Sequence, residues 1–171
     1  MISRPQPDEY SEFAARYVNL VGNDPILKIL TDQQNRTYNL LKGLTSDKAD
    51  YSYAEGKWTV KQVAGHMADT ERILAYRALC FSREAITLPG FNQDVYMEKA
   101  TFNNRSLQNI ADEFKTVRES TLYLFRSITD EESKQKGIAS DNPISVRALA
   151  YMIAGHEIYH LNLLKERYLC M

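Results

Sequence analysis

Cysteine is scarce here: Cys80 and Cys170 are the only two in 171 residues. They lie far apart and lack a Cys-x-x-Cys spacing, which excludes a disulfide framework and a thiolate metal site. Cys80 reads as filler on a helix face and Cys170 as part of a loose C-terminus. No apolar run approaches the roughly 20 residues that cross a bilayer, and none follows Arg4 to act as a signal peptide. The chain is therefore expected to be soluble and cytoplasmic, with no membrane partner. A charge excess of one sign is also missing. The formal net charge is -1, and Lys and Arg are scattered rather than gathered into a stripe that could follow a phosphate backbone, which argues against nucleic acid as a partner. Strand-type alternation is almost absent. The length suits a single domain, 1–171, able to bury roughly two thirds of its unfolded surface.

What is present is helical periodicity. A first helix is expected from about Glu9 to Val21. Gly22-Asn23-Asp24-Pro25 then breaks it, with Asp24 as cap and Pro25 at the first position of a continuation that spaces Ile26, Leu30, Tyr38, Leu41 and Leu44 helically. After a polar connection from Thr45 to Lys57, Thr59 and Gln62 form a capping box, with Trp58 and Val63 as its hydrophobic staple. That helix runs to about Ser82. An irregular stretch from Arg83 to Arg105 follows, with a turn signal at Leu88-Pro89-Gly90-Phe91. Ser106 then caps a helix striped by Leu107, Ile110, Phe114, Val117 and Phe125, and Ser145 caps the last helix. A linker of roughly 23 residues is long enough to run the length of a bundle, which makes the second and third long helices parallel. The expectation is an all-α four-helix bundle.

The chain has three histidines. His156 and His160 replace apolar residues on the stripe Leu149, Met152, Ile153, Leu163 and Leu164, and a four-residue step leaves their rings about 40° and one turn apart. A single buried histidine is ordinarily a satisfied core residue. Two on one apolar stripe each bring a nitrogen that needs a donor or a cation. His66 lies on an inward face with Thr70, Ile73 and Arg77, and all three stand near whole helical turns from the caps at Thr59 and Ser145. His66, His156 and His160 are thus the candidate ligands of one divalent transition metal. Gly65 and Gly155 each precede a histidine inside a helix, at a cost of about 1 kcal/mol relative to alanine, which suggests close helix approach or room beside the metal. His156-Glu157-Ile-Tyr-His160 also matches the zinc-protease pattern, but the extended form needs Gly at Leu163 and His at Glu166. Glu157, about 60° around the helix from His160, reads as a surface residue beside the bundle seam. Asp69 receives no role.

With the histidines placed, the chain resembles the DinB/YfiT-like superfamily of metal-binding four-helix bundles. The resemblance is carried by Gly56-Lys-Trp-Thr-Val-Lys-Gln-Val-Ala-Gly-His66 and on to Arg72, by Leu88-Pro-Gly-Phe-Asn-Gln-Asp94, and by the segment from Ser145 to His160. One histidine on the second helix and a His-x-x-x-His on the fourth match that family's metal triad. The resemblance implies an up-down-down-up bundle with a long crossover, often a homodimer. It also implies relatives that transfer low-molecular-weight thiols such as bacillithiol, mycothiol or glutathione, and others described as metal-dependent hydrolases.

Three neutral imidazoles leave at least one position open on the ion, as in a catalytic site, and ligand type alone does not choose between zinc and nickel. The chain supplies no obvious second nucleophile or histidine base. Such an ion could hold a thiolate for transfer or a hydroxide for hydrolysis; the resemblance tips the expected function towards thiol transfer to a small electrophilic substrate, which suits a chain without its own nucleophile, with hydrolysis or a non-catalytic stress-response binding module as alternatives. No catalytic or substrate-binding residue is assigned; Trp58, Tyr159, Arg77, Phe91 and Asp94 are candidate walls of the site. Eleven tyrosines fit interface use in a homodimer.

Overall fold

The computed structural model describes residues 1–169, so Cys170 lies outside the described residues. Three of the four long helices start where a side chain accepts from a free backbone N–H group. The α1 helix, Glu12–Val18, begins at Ser11, whose hydroxyl accepts from the Ala14 amide at 3.3 Å. It starts later than the Glu9 expected from periodicity, because Pro7–Glu9 forms a separate 3-10 turn and the buried Glu9 carboxylate is committed to Arg147 and Ser145. The α2 helix, Ile26–Lys42, follows Pro25, which is itself the N-cap residue. Asp24 does not cap. It pairs with Lys28 at 3.2 Å, while the Pro25 carbonyl accepts from the Lys28 and Ile29 amides.

A short α3, Ser46–Ala49, precedes α4, Val60–Phe81, where the Thr59–Gln62 capping box forms as expected. The α5 helix, Gln93–Lys99, sits inside the stretch expected to be irregular, capped by the Asn92 side chain. Ser106 caps α6, Leu107–Ser127, and α7, Asp130–Ser133, leads towards α8, Val146–Leu163, which starts at Ser145. A π-helical turn, Leu164–Leu169, closes the described chain.

Side-chain pairs fix the helix directions. Tyr38 bonds Asp112 while Leu30 O accepts from Arg118, so α2 and α6 run antiparallel. Gln33 reaches Ala154 O and Thr37 reaches Glu157, so α2 and α8 run parallel. Thr59, capping α4, meets Asn103 just before α6, which makes those two helices parallel, while His66 near the start of α4 meets His156 and His160 in the second half of α8. The order is up-down-down-up, with the first arm broken before Pro25 and a long crossover between α4 and α6.

The crossover is pinned rather than free. Its β1, Thr87–Leu88, pairs in parallel with β2, Lys136–Ala139, which pairs antiparallel with β3, Asn142–Ser145. Strand alternation did not announce this small sheet. Its hairpin turns at Ser140 and Asp141, both with positive φ (51° and 63°), the two-residue geometry that matches strand twist and ordinarily favours Gly or Asn.

The core divides into two apolar clusters, one around Leu30, Leu74, Leu122 and Ile153, the other around Leu41, Met67, Phe114 and Leu161. Between them Thr37, Glu71, Arg118 and Glu157, from the four long helices, form one buried polar cluster. The Arg118 side chain, 0% exposed, donates to Glu71 Oε1 at 2.7 Å and Oε2 at 2.8 Å, to Glu157 Oε2 at 2.7 Å and to Leu30 O at 3.0 Å. No helix of the described residues is long and apolar enough to cross a membrane.

Candidate metal centre

The spacing of α8 brings His156 and His160 onto one side, and the antiparallel α4 delivers His66 opposite them. All three are buried. His156 Nε2 lies 3.1 Å from His66 Nε2 and 3.1 Å from His160 Nε2, and the three candidate ligand atoms fall within 4.8 Å of one another. Each imidazole rests against an aromatic ring: Trp58 on His66 (centroids 4.8 Å apart), Tyr17 on His156 (5.4 Å) and Tyr159 on His160 (5.1 Å). Burial pushes the His66 ring down to about 4, against a smaller upward pull from the Asp94 carboxylate. Burial, then the neighbouring His66, pushes His160 down to about 3. His156 is driven well below the ordinary imidazole range by burial first and then by its two partners. All three rings are therefore neutral at neutral pH, the form that presents a lone pair.

A cavity of about 470 Å³ opens beside the cluster, lined by His66 and His156 at one end and by Tyr17, Arg77, Phe91 and Gln93 among others. Of the candidate wall residues, Arg77 and Phe91 do line it. Trp58 and Tyr159 back the imidazoles instead, and Tyr159 stays 48% exposed. Asp94 is exposed at the start of α5, and Asp69 pairs with Arg72 at 3.0 Å, away from the cluster. Glu157 is not the surface residue expected from its place on the helix. It is 2% exposed, bonded to Thr37 and Arg118, and burial pushes its carboxyl up against the opposing pull of Arg118. Tyr17 went unnoticed in the sequence because nothing in the short α1 signals that it covers α8. Arg118 could have been found, since it falls four residues after Phe114 on the inward stripe of α6.

The two helical glycines are explained by close approach. A Cβ on Gly65 would stand 2.5 Å from the Phe102 ring, and one on Gly155 would stand 2.0 Å from the Tyr17 carbonyl oxygen. Backbone cannot swing aside as a ring can, so Gly155→Ala must displace α1 and, with it, the ring on His156. We expect this variant to lose about 1–3 kcal/mol through overpacking, outweighing the propensity gained, whereas Gly22→Ala, with nothing within 4 Å, is close to neutral. Thermal unfolding of the two variants checks it; a Tm for Gly155→Ala above that of the parent would show that α1 does not press on α8 here.

Fold and cluster together place the chain in the class of helical bundles that build polar sites from side chains of facing helices. The family described as the DinB superfamily matches residues 29–164, and the chain belongs to that superfamily. It is 26% identical over 137 residues, 79% of each chain, to an Oceanobacillus iheyensis protein named "Putative metal-dependent hydrolase OB0413". Among solved structures, YfiT from Bacillus subtilis, described as "a probable metal-dependent hydrolase with an unusual four-helix bundle topology", superposes with a TM-score of 0.69 at 17% identity, covering 97% of this chain and 93% of that one. A DinB-like protein, YjoA, also from Bacillus subtilis, gives 0.58 at 21% identity over 81% and 85% of the two chains.

Proposed function

We propose that His66, His156 and His160 hold one divalent transition metal, zinc or nickel, and that the chain is a metal-dependent enzyme acting on a small molecule in the adjoining cavity. The carrying observation is the contact of His156 Nε2 with two other Nε2 atoms at 3.1 Å each. A neutral imidazole presents either one N–H or one lone pair at that atom, so His156 can satisfy at most one neighbour by hydrogen bonding, and the remaining buried lone pair needs a cation. Nitrogens about 2.0–2.1 Å from a tetrahedral ion stand about 3.3 Å apart, close to the spacing found. The Nδ1 atoms are then left to carry the protons; His66 Nδ1 has Thr70 Oγ1 at 3.4 Å.

A divalent ion at this place supplies positive charge that lowers the pKa of a sulfur or oxygen nucleophile. The side chains around the cavity favour sulfur. No Asp, Glu or Lys is among its lining residues, Cys80 is not among them, and Glu157, the general base of the protease pattern, is locked to Arg118 and Thr37. Water would have no carboxylate in the cavity lining to take its proton, whereas a thiol, with an ordinary pKa near 8.5, ionises far more readily. We therefore read the activity as transfer of a low-molecular-weight thiol to an electrophile. Hydrolysis is the second reading, favoured by the names of the relatives. Metal-loaded protein assayed with several small thiols and a generic electrophile, beside ester and amide substrates, is expected to turn over only with a thiol and to stop on chelation. Hydrolysis without thiol dependence would replace the first reading with the second.

A further inference from the structure

Most arginines that approach the core meet a carboxylate. Arg118 engages Glu71 and Glu157, Arg147 engages Glu9, and Arg72 and Arg105 share Glu113. Arg77 is 7% exposed and forms no ion pair among the described residues. Its Nη2 donates to Pro89 O at 2.8 Å and to Ser140 Oγ at 3.3 Å, and its guanidinium lies 5.9 Å from the centre of the Phe91 ring. Three of the five N–H donors of the fork remain uncommitted, and the residue lines the cavity. Burial lowers its pKa, with no acidic group to offset the effect, yet an arginine keeps its charge. A buried cation without a counter-charge is costly unless something supplies one. Arg77 is moreover the one charged side chain among the lining residues, since Asp, Glu and Lys are absent from them. The cavity is thus positive at the Arg77 end even before a metal adds charge at the other.

We propose that Arg77 anchors an oxyanion, a carboxylate or a phosphate, on a small elongated substrate whose reactive end lies at the histidines. The position of the reactive end rests on the metal reading above; the anion anchor does not. Arg77 follows His66 by eleven residues on α4, about 16 Å of helix rise, and helical side chains lean back towards the N-terminus, so the fork reaches along the cavity towards the cluster. Between the two ends the wall is mainly Leu74, Leu149 and Met152, with Thr70, which suits an apolar middle. The Phe91 ring and the left-handed Ser140 stand beside the fork and hold it in place.

Calorimetric titration with hexanoate, hexyl phosphate and neutral hexanamide tests this on metal-free and metal-loaded protein, up to millimolar ligand. At least one anion is expected to bind, the amide is not, and the preferred anion separates carboxylate from phosphate. Arg77→Gln should weaken the anion about 10–100-fold, and Arg77→Lys by less, because a bidentate fork is lost in both but the charge only in the first. Metal uptake by Arg77→Gln should stay unchanged, and its ligand-free Tm should hold or rise as the unpaired cation disappears. Equal binding of hexanamide, no anion binding by the parent, or a lowered Tm in Arg77→Gln with anion affinity intact would each overturn the anchor. Arg77-dependent anion binding in a protein that takes up no metal would leave the anchor standing and remove the histidine reading instead.

Discussion

Arg118→Met is expected to destabilise the fold by about 3–5 kcal/mol, the usual cost of removing one partner from a buried ionic group. The guanidinium is wholly buried and bridges Glu71 on α4 to Glu157 on α8 while bonding the α2 backbone. Without it two carboxylates face one another between the apolar clusters with no cation, and Glu157, which burial already pushes up, is favoured further in its protonated form. The deficit is therefore greatest at neutral pH, where the unfolded carboxylates are ionised at no cost, and shrinks as pH falls towards the carboxylate range and the unfolded chain takes up protons as well. Adding Glu157→Gln to Arg118→Met should recover part of the loss, and the two single and one double variant form a cycle that reads the coupling. Urea unfolding at pH 7 and pH 5 measures all of this. A loss below 1 kcal/mol, or one independent of pH, would mean that the three charged groups are not coupled.

Removing one imidazole should cost metal affinity more than any change outside the cluster. We expect His156→Ala, the ring that touches both others, to bind zinc or nickel at least 100-fold more weakly, exceeding the 10–100-fold typical of groups one shell further out. Competition with a chromophoric chelator reads this directly, and unchanged affinity would disprove ligation by His156. The depressed histidines also set a pH dependence for the metal-free protein. Folded values near 4 for His66 and near 3 for His160 lie below the unfolded 6.5. Between pH 6.5 and about 4 the unfolded chain binds protons that the folded chain refuses, so stability falls as pH falls through that window, by up to about 1.4 kcal/mol per pH unit for each ring. Above pH 6.5 both states are neutral and the dependence disappears. Bound metal should enlarge the acid sensitivity, since protons then compete with the ion for the same lone pairs.

The parts legible in the sequence are those written in local chemistry. Thr59, Ser106 and Ser145 each start a helix because a hydroxyl at that place satisfies amides three residues on, and the histidines inherit their direction from those starts. The crossover was legible from its length alone. What escaped depends on partners remote in the chain. Glu157 looked like a seam residue because the cation that permits its burial comes from α6, 39 residues away. Asp24 looked like a cap because Asp-Pro ordinarily begins a helix, yet Pro25 took the capping place and left Asp24 to Lys28. The hairpin of β2 and β3 carries no Gly at Ser140 or Asp141, so its turn had no conventional signal. Arg77 was readable as an inward residue, but not as a charge without a partner.

The pairing of β1 with β2 separates two kinds of freedom in this protein. Thr87 and Leu88 join the crossover to the hairpin through main-chain hydrogen bonds, Ile138 N to Ile86 O at 3.0 Å and Ser140 N to Leu88 O at 3.3 Å, whose strength does not depend on which side chains are present. Phe91, Gln93, Asn142 and Pro143, on either side of that seam, line the cavity without entering the bundle core. Substitutions there can reshape what the cavity admits while the four long helices and their histidines keep their register. What such a cavity admits can therefore change among descendants of the chain faster than the fold does.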